Sequence, residues 1–241
     1  MRHANLHLTL LLVLLPAVLA CRAPAVEALG PSAALPARTA RSSPSQTSQA
    51  PVVVFLGDSL TAGLGLEGTE AYPALLGDRL VAEGRPIRVI NAGVSGDTTA
   101  GGLRRLDWLL RQKPAVLVVG LGANDALRGA DVSEIERNLR EILRRSRAAG
   151  ARLLLLGMQI PPNYGPDYTG RFAALYPRIA KDMGVPLVPF LLAGVGGIPE
   201  LNQADGIHPT AVGERKVADN VYLYLKDLLP QSQGIAERQG G

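Results

Sequence analysis

The sequence predicts an α/β domain: a five-stranded parallel sheet with helices on both faces. Short apolar runs and segments of helical period alternate five times between residues 52 and 228, the pattern of successive strand–helix–strand crossovers. The strand-like runs are continuously apolar, as in Val52-Val53-Val54-Phe55-Leu56, which suits strands buried on both faces. These runs lead into loops of small and polar residues, placing such residues at the strand ends where parallel sheets gather their ligands.

The first run, 52–56, enters the corner Gly57-Asp58-Ser59 and a glycine-containing turn. Apolar residues at Leu75, Leu76, Leu80 and Val81 mark a helix over 72–83, ended by Gly84-Arg85-Pro86. A second strand follows at 87–92, then a small-residue loop over 93–101. Leu103, Leu106, Leu109 and Leu110 form the stripe of the next helix, stopped by Pro114. Residues 115–120 are the third strand, followed by Gly122-Ala123-Asn124-Asp125. Ser133 and Glu136 stand at capping-box spacing at the start of a helix over 133–149. A strand at 153–156, a Pro- and Tyr-rich loop at 160–169 and a helix at 172–183 come next, with Pro177 expected to shift the helix start or kink it. The fifth strand is read at 185–190, and the last helix at 209–228 with Pro209 in its first turn.

The N-terminus reads as an address. Arg2 precedes a strongly apolar stretch, 6–19, too short for a stop-transfer helix, and small residues follow. Val18-Leu19-Ala20-Cys21 resembles a bacterial lipobox, and Cys21 is the one cysteine of the chain. Two readings stand: lipidation at Cys21, which would tether the protein to a membrane surface, and conventional cleavage after Ala20. Either exports the protein to the cell envelope. Residues 1–20 are thus a leader and 21–50, rich in Ala, Pro, Ser and Thr, a flexible linker. The folded body spans 51–230, and 231–241 is a frayed tail.

Composition narrows the function. The net charge is +4, but aromatic residues make up only 4%, which leaves few platforms for stacking bases and argues against nucleic acid as a partner. One cysteine allows no intrachain disulfide. One histidine outside the leader leaves no cluster with metal-ligand spacing, and no cofactor is expected.

Four of the loops leaving the sheet carry polar groups of catalytic type. These are Ser59; Ser95-Gly96-Asp97; Asn124-Asp125; and Asp205-Gly206-Ile207-His208-Pro209. His3 and His7 lie in the leader, so His208 is the only imidazole left to the body. A lone histidine is more often structural than catalytic. Here Asp205, three residues earlier in a turn, can hold one ring nitrogen and leave the other to take a proton from a hydroxyl. A hydrolytic serine needs such a base. Asp58 and Asp97 read as caps of loop amides or helix starts.

Gly57-Asp58-Ser59-Leu60, Gly96, Gly122-Ala123-Asn124-Asp125 and Asp205-Gly206-Ile207-His208-Pro209 together resemble the four blocks of the GDSL/SGNH hydrolases. The resemblance covers residues 52–229 and implies a flavodoxin-like sheet and esterase or lipase activity. Asn91-Ala92-Gly93-Val94-Ser95-Gly96-Asp97, Leu127-Arg128-Gly129 and Pro162-Asn163-Tyr164-Gly165 are similar to the bacterial arylesterase, acyl-CoA thioesterase and lysophospholipase subgroup. The third block departs slightly, with Ala123 where glycine is common. The resemblance implies Ser59 as nucleophile, His208 as general base and acid, and Asp205 as its orienting carboxylate. It implies an oxyanion hole of the Ser59 and Gly96 backbone N–H groups and the Asn124 side-chain amide.

Leu127, Ile160 and Tyr164 are expected to line the acyl pocket, whose substrates would be short-to-medium acyl esters, thioesters or lysophospholipids. Tyr164 and Tyr168 keep a carbohydrate acetyl-esterase open as an alternative. A catalytically idle envelope lipoprotein is the alternative of a different class. Oligomeric state is not legible.

Overall fold

A computed structural model describes residues 50–229. The leader, Cys21, residues 21–49 and the tail lie outside the described residues.

Five parallel strands form one sheet: β1 (Val52–Gly57), β2 (Arg88–Gly93), β3 (Val116–Gly120), β4 (Arg152–Leu156) and β5 (Leu187–Val188), in the order β2-β1-β3-β4-β5. The chain passes from β1 to β2 on one side, then returns past β1 to β3. That reversal opens a crevice between the C-terminal ends of β1 and β3. Val53 to Leu56, Val116 to Val119 and Leu154 to Leu156 are wholly buried, as strands covered on both faces must be. The expected fold class is the one observed.

Among the described residues seven helices fill the connections: α1 (Ser59–Ala62), α2 (Tyr72–Ala82), α3 (Thr99–Leu110), α4 (Ala123–Leu127), α5 (Val132–Ala148), α6 (Pro166–Met183) and α7 (Ala211–Leu228). α2 and α7 pack together over one face of the sheet, and α3, α5 and α6 over the other. Their buried stripes, such as Ile135, Leu139, Ile142 and Leu143 on α5, join the strands in one apolar core. Among the described residues no helix is long and apolar enough to cross a membrane.

Several boundaries differ from the sequence expectation, each for a local reason. α5 is capped by Asp131, whose side chain accepts from the Ser133 N–H at 2.8 Å. Starting one residue earlier buries Val132, while Glu136 pairs with Arg140 and Arg178. α3 already begins at Thr99, although Gly101 and Gly102 are poor helix formers. Packing overrides propensity there: a Cβ on Gly102 would lie 2.3 Å from Leu121 Cδ1.

α6 starts at Pro166 and runs through Pro177 without a break. Pro177 and Ala173 are exposed, so the carbonyl that loses its helical partner faces water. β5 shrinks to two residues because prolines at 186 and 189 remove ladder donors. Pro209 precedes α7 instead of lying in it; the cap is Thr210, which accepts from the Gly213 N–H.

Candidate active site

Ser59 opens α1 directly after β1. The corner is tight enough to demand glycine on both sides. A Cβ on Gly57 would fall 1.9 Å from Thr61 Oγ1, and one on Gly93 at the end of β2 would fall 2.3 Å from the Ala62 nitrogen. α1 ends at Gly63 in the left-handed region (φ 73°), whose N–H returns to the Ser59 carbonyl. The serine is thereby held at the crevice mouth, 9% exposed.

His208 arrives from the loop before α7. The Gln203 N–H donates to the His208 carbonyl at 2.7 Å, and Gln203 Nε2 donates to the Leu64 and Pro209 carbonyls. Behind it, buried Asn202 donates to the Val195 and Ile198 carbonyls. In this braced loop Asp205 Oδ1 accepts from the backbone N–H groups of Ile207 (2.9 Å) and His208 (3.0 Å). Asp205 Oδ2 lies 2.7 Å from His208 Nδ1, and His208 Nε2 lies 2.8 Å from Ser59 Oγ. A carboxylate can only accept. Nδ1 therefore carries the proton, and Nε2 is left to accept from the serine hydroxyl. The His208 backbone N–H, then its ring, then the Ile207 N–H hold the Asp205 carboxyl down at about 2, so it is ionised at neutral pH.

Gly96 lies in the turn after β2 with φ 77°, a conformation that favours glycine. The Asp97 N–H donates to the Val94 carbonyl across that turn, and Arg128 Nη2 donates to the Gly96 carbonyl at 3.0 Å. Asn124 stands in α4 behind Gly122, where the Tyr176 hydroxyl takes the space of a Cβ. Its Nδ2 donates to Asp58 Oδ2 at 3.3 Å. The neighbouring Asp125 accepts both the backbone N–H (2.9 Å) and the hydroxyl (2.6 Å) of Thr99, tying α4 to the start of α3.

Asp58 does more than the cap expected of it. Oδ1 accepts from the Leu60 N–H at 3.1 Å while Oδ2 faces Asn124. Burial pushes its carboxyl up to about 6, against the pull of the Leu60 N–H and of His208. Asp97 caps locally, accepting from the Thr98 N–H, and also takes a 2.8 Å ion pair from Arg105. The remaining Arg105 donors reach the Ala92 carbonyl (2.6 Å) and the Gly57 carbonyl (2.9 Å). One guanidinium therefore ties the ends of β1 and β2 to the Gly96 loop.

A cavity of ≈ 440 Å³ opens beside the serine, reached by Leu60, Ala123 and Ile207, the neighbours of Ser59, Asn124 and His208. Its wall is mainly apolar and includes Leu127, Ile160, Met158, Phe190 and Leu192. Of the residues expected to line an acyl pocket, Leu127 and Ile160 lie in this cavity's lining. Tyr164 is not in this lining. Its hydroxyl donates to the Leu127 carbonyl at 3.0 Å, and its ring centroid is 6.5 Å from that of Tyr168, whose hydroxyl donates to the Ala130 carbonyl at 2.6 Å. Sequence reading missed Met158, Phe190, Leu192, Arg105 and Arg128. The signal for the first three was available, since residues 157–160 and 189–197 leave the same sheet edge as Ser59. The arginines carried none, because charged residues on helices and loops read as solvated.

Among the described residues no group of three His, Cys, Asp or Glu side chains is placed to hold a metal ion.

Residues 55–216 match the GDSL-like lipase/acylhydrolase family. Esterase TesA of Pseudomonas aeruginosa is 46% identical over 185 residues, covering 76% of this chain and 92% of that protein. The Escherichia coli protein named thioesterase 1/protease 1/lysophospholipase L1 is 41% identical over 181 residues, 75% of this chain and 86% of that one. A crystal structure of TesA superposes with a TM-score of 0.72 at 47% identity, covering 74% of this chain and 99% of the other.

Proposed function

The chain belongs to the GDSL-like lipase/acylhydrolase family, a family of ester hydrolases, and from that premise we propose which residues act and on what. The observation that carries the proposal is the unbroken line from Ser59 Oγ through His208 to Asp205, with contacts of 2.8 and 2.7 Å.

Ser59 Oγ attacks the acyl carbonyl as its proton passes to His208 Nε2. The ionised Asp205 stabilises the imidazolium that results. Negative charge on the carbonyl oxygen is met by the backbone N–H groups of Ser59 and Gly96 and by Asn124 Nδ2. Collapse of the tetrahedral intermediate breaks the bond to the leaving oxygen or sulfur, which takes the proton from His208. Water, activated by the same imidazole, then adds to the acyl-serine. Its breakdown releases the carboxylic acid and restores Ser59.

The substrates are short-to-medium acyl esters and thioesters, with lysophospholipids in the same class. Support comes from the size and apolar wall of the cavity and from the esterase, thioesterase and lysophospholipase names of the relatives. Sugar acetates have no such support. Tyr164 and Tyr168, which kept them open, are not in the cavity lining and donate to backbone carbonyls. The protein is exported by residues 1–20, and Cys21 anchors it to a membrane facing the periplasm; mass analysis of the mature N-terminus distinguishes acylated Cys21 from conventional cleavage.

The test is hydrolysis of nitrophenyl esters from acetyl to palmitoyl, with acyl-CoA and lysophospholipid alongside. Ser59→Ala is expected to lower kcat by about 10⁴-fold or more while the protein stays folded. A folded parent inactive on every acyl ester would refute the proposal.

A further inference from the structure

The amide of an asparagine is nearly symmetric in shape, so its nitrogen and oxygen can exchange places by a half-turn. An oxyanion donor needs the nitrogen forward, since the carbonyl oxygen would repel the developing charge. Something beside Asn124 must therefore accept a hydrogen bond without being able to give one. An ionised carboxylate meets that condition.

Asp58 is placed to do this. It sits at the N-cap of α1 and is 1% exposed. Its Oδ1 is occupied by the Leu60 N–H at 3.1 Å, which leaves Oδ2 directed at Asn124 Nδ2, 3.3 Å away. The turn that carries the nucleophile thus also fixes the carboxylate, and adjacency of β1 and β3 brings α4 within its reach.

We propose that Asp58 is a positioning residue: its carboxylate holds one N–H of the Asn124 amide, so that the second N–H is presented to the oxyanion. This rests on the reading of Asn124 as an oxyanion donor. The timing is favourable as well. His208 draws the Asp58 carboxyl down against the effect of burial, and its positive charge is greatest when the serine proton has moved to it and the oxyanion has formed. A cap alone would need only Oδ1, a task serine performs as well as aspartate. The second oxygen is what the capping role leaves unexplained.

The experiment is a double-mutant cycle in the full chain, reading kcat and KM for p-nitrophenyl butyrate, with thermal melts on every variant. Asn124→Ala is expected to lower kcat by about 10²–10³-fold. Asp58→Ser keeps the cap but lacks the second acceptor, and Asp58→Asn offers Asn124 an ambiguous amide. Each is expected to lower kcat about 10-fold or more with KM within about 2-fold. The Asp58→Ser/Asn124→Ala double variant should be no slower than Asn124→Ala alone, because Asp58 acts only through that amide. Losses that multiply, or full kcat in Asp58→Ser, overturn the inference. Loss of the melting transition in both Asp58 variants also overturns it, assigning the residue to the fold. Asn124→Ala with parental kcat removes the oxyanion reading itself, a separate failure.

Discussion

Glu214 and Tyr72 lie 142 positions apart and meet in one hydrogen bond, the Tyr72 backbone N–H donating to Glu214 Oε2 at 2.8 Å. Both stand in the first turn of their helices, α7 and α2, so the bond joins the starts of the two helices that cover one face of the sheet. The Tyr72 hydroxyl meets Thr61 Oγ1 at 2.9 Å, two residues after the nucleophile. Burial outweighs the Tyr72 N–H and pushes the Glu214 carboxyl up to about 7.

That shift has a defined sign. The folded chain holds the Glu214 proton more tightly than the unfolded one. The associated stability is complete below the ordinary value of 4.5 and is lost as pH rises through about 7. Glu214→Gln, isosteric with the protonated acid, is expected to match the parent near about pH 4 and to exceed it by roughly 1–3 kcal/mol near about pH 8. Urea unfolding at both pH values checks this, and a difference that ignores pH would refute it.

Arg105 is expected to matter for both stability and rate. Arg105→Ala removes the ion pair to Asp97 and one donor from each of the Gly57 and Ala92 carbonyls. A loss of about 2–4 kcal/mol follows. Because Gly57 adjoins the serine corner and Asp97 adjoins Gly96, kcat should also fall, by about 10-fold or more. Arg105→Lys cannot span three acceptors and should recover only part of either loss. Melting and steady-state kinetics on the two variants decide it. Parental values in Arg105→Ala would sink the clamp.

Chain-length preference should follow the far wall of the cavity. A Cβ on Gly196 would lie 3.4 Å from Phe190 Cζ and 3.5 Å from Leu192 Cβ, in ordinary contact. Gly196→Val is therefore expected to fold and to move the optimum toward shorter acyl groups. Phe190→Ala should move it toward longer ones. The readout is kcat/KM across a nitrophenyl ester series, and an unchanged optimum in both variants would place acyl recognition elsewhere.

Gly93→Ala tests the serine corner. Its Cβ would meet the Ala62 nitrogen at 2.3 Å, Ala62 Cα at 2.7 Å and the Asp58 carbonyl at 2.8 Å, all backbone atoms that cannot rotate away. Destabilisation of about 3 kcal/mol is expected, with activity lost beyond what the residual folded fraction explains. Denaturant unfolding paired with active-site titration separates the two effects.

Much of the fold was legible because it depends on local pattern. The runs at 52–56 and 115–120 are apolar without alternation, and that alone requires cover on both faces. Ser59 and the Asp205–His208 pair were legible because their chemistry is local: a strand end, or a turn three residues wide. Where two local signals competed, sequence could not arbitrate. Asp131 with Glu134 and Ser133 with Glu136 both have capping-box spacing. The burial of Val132 decided for the first. Tyr164 illustrates the same limit, since an aromatic loop residue can line a cavity or lie outside its lining, and only the fold, in which its hydroxyl donates to the Leu127 carbonyl, distinguishes the two.

By itself the sequence determined the alternation of strands and helices, the order of the polar loops and the identity of the residues they carry. Those follow from periodicity and turn chemistry within a few residues. Tertiary structure alone decided that Arg105 reaches two strand ends, that Asp58 faces Asn124 across 66 positions, and that Phe190 and Leu192 wall the cavity. Each joins segments far apart in the chain. Their meeting is set by sheet order and side-chain packing, which are properties of the whole core rather than of any window along the sequence.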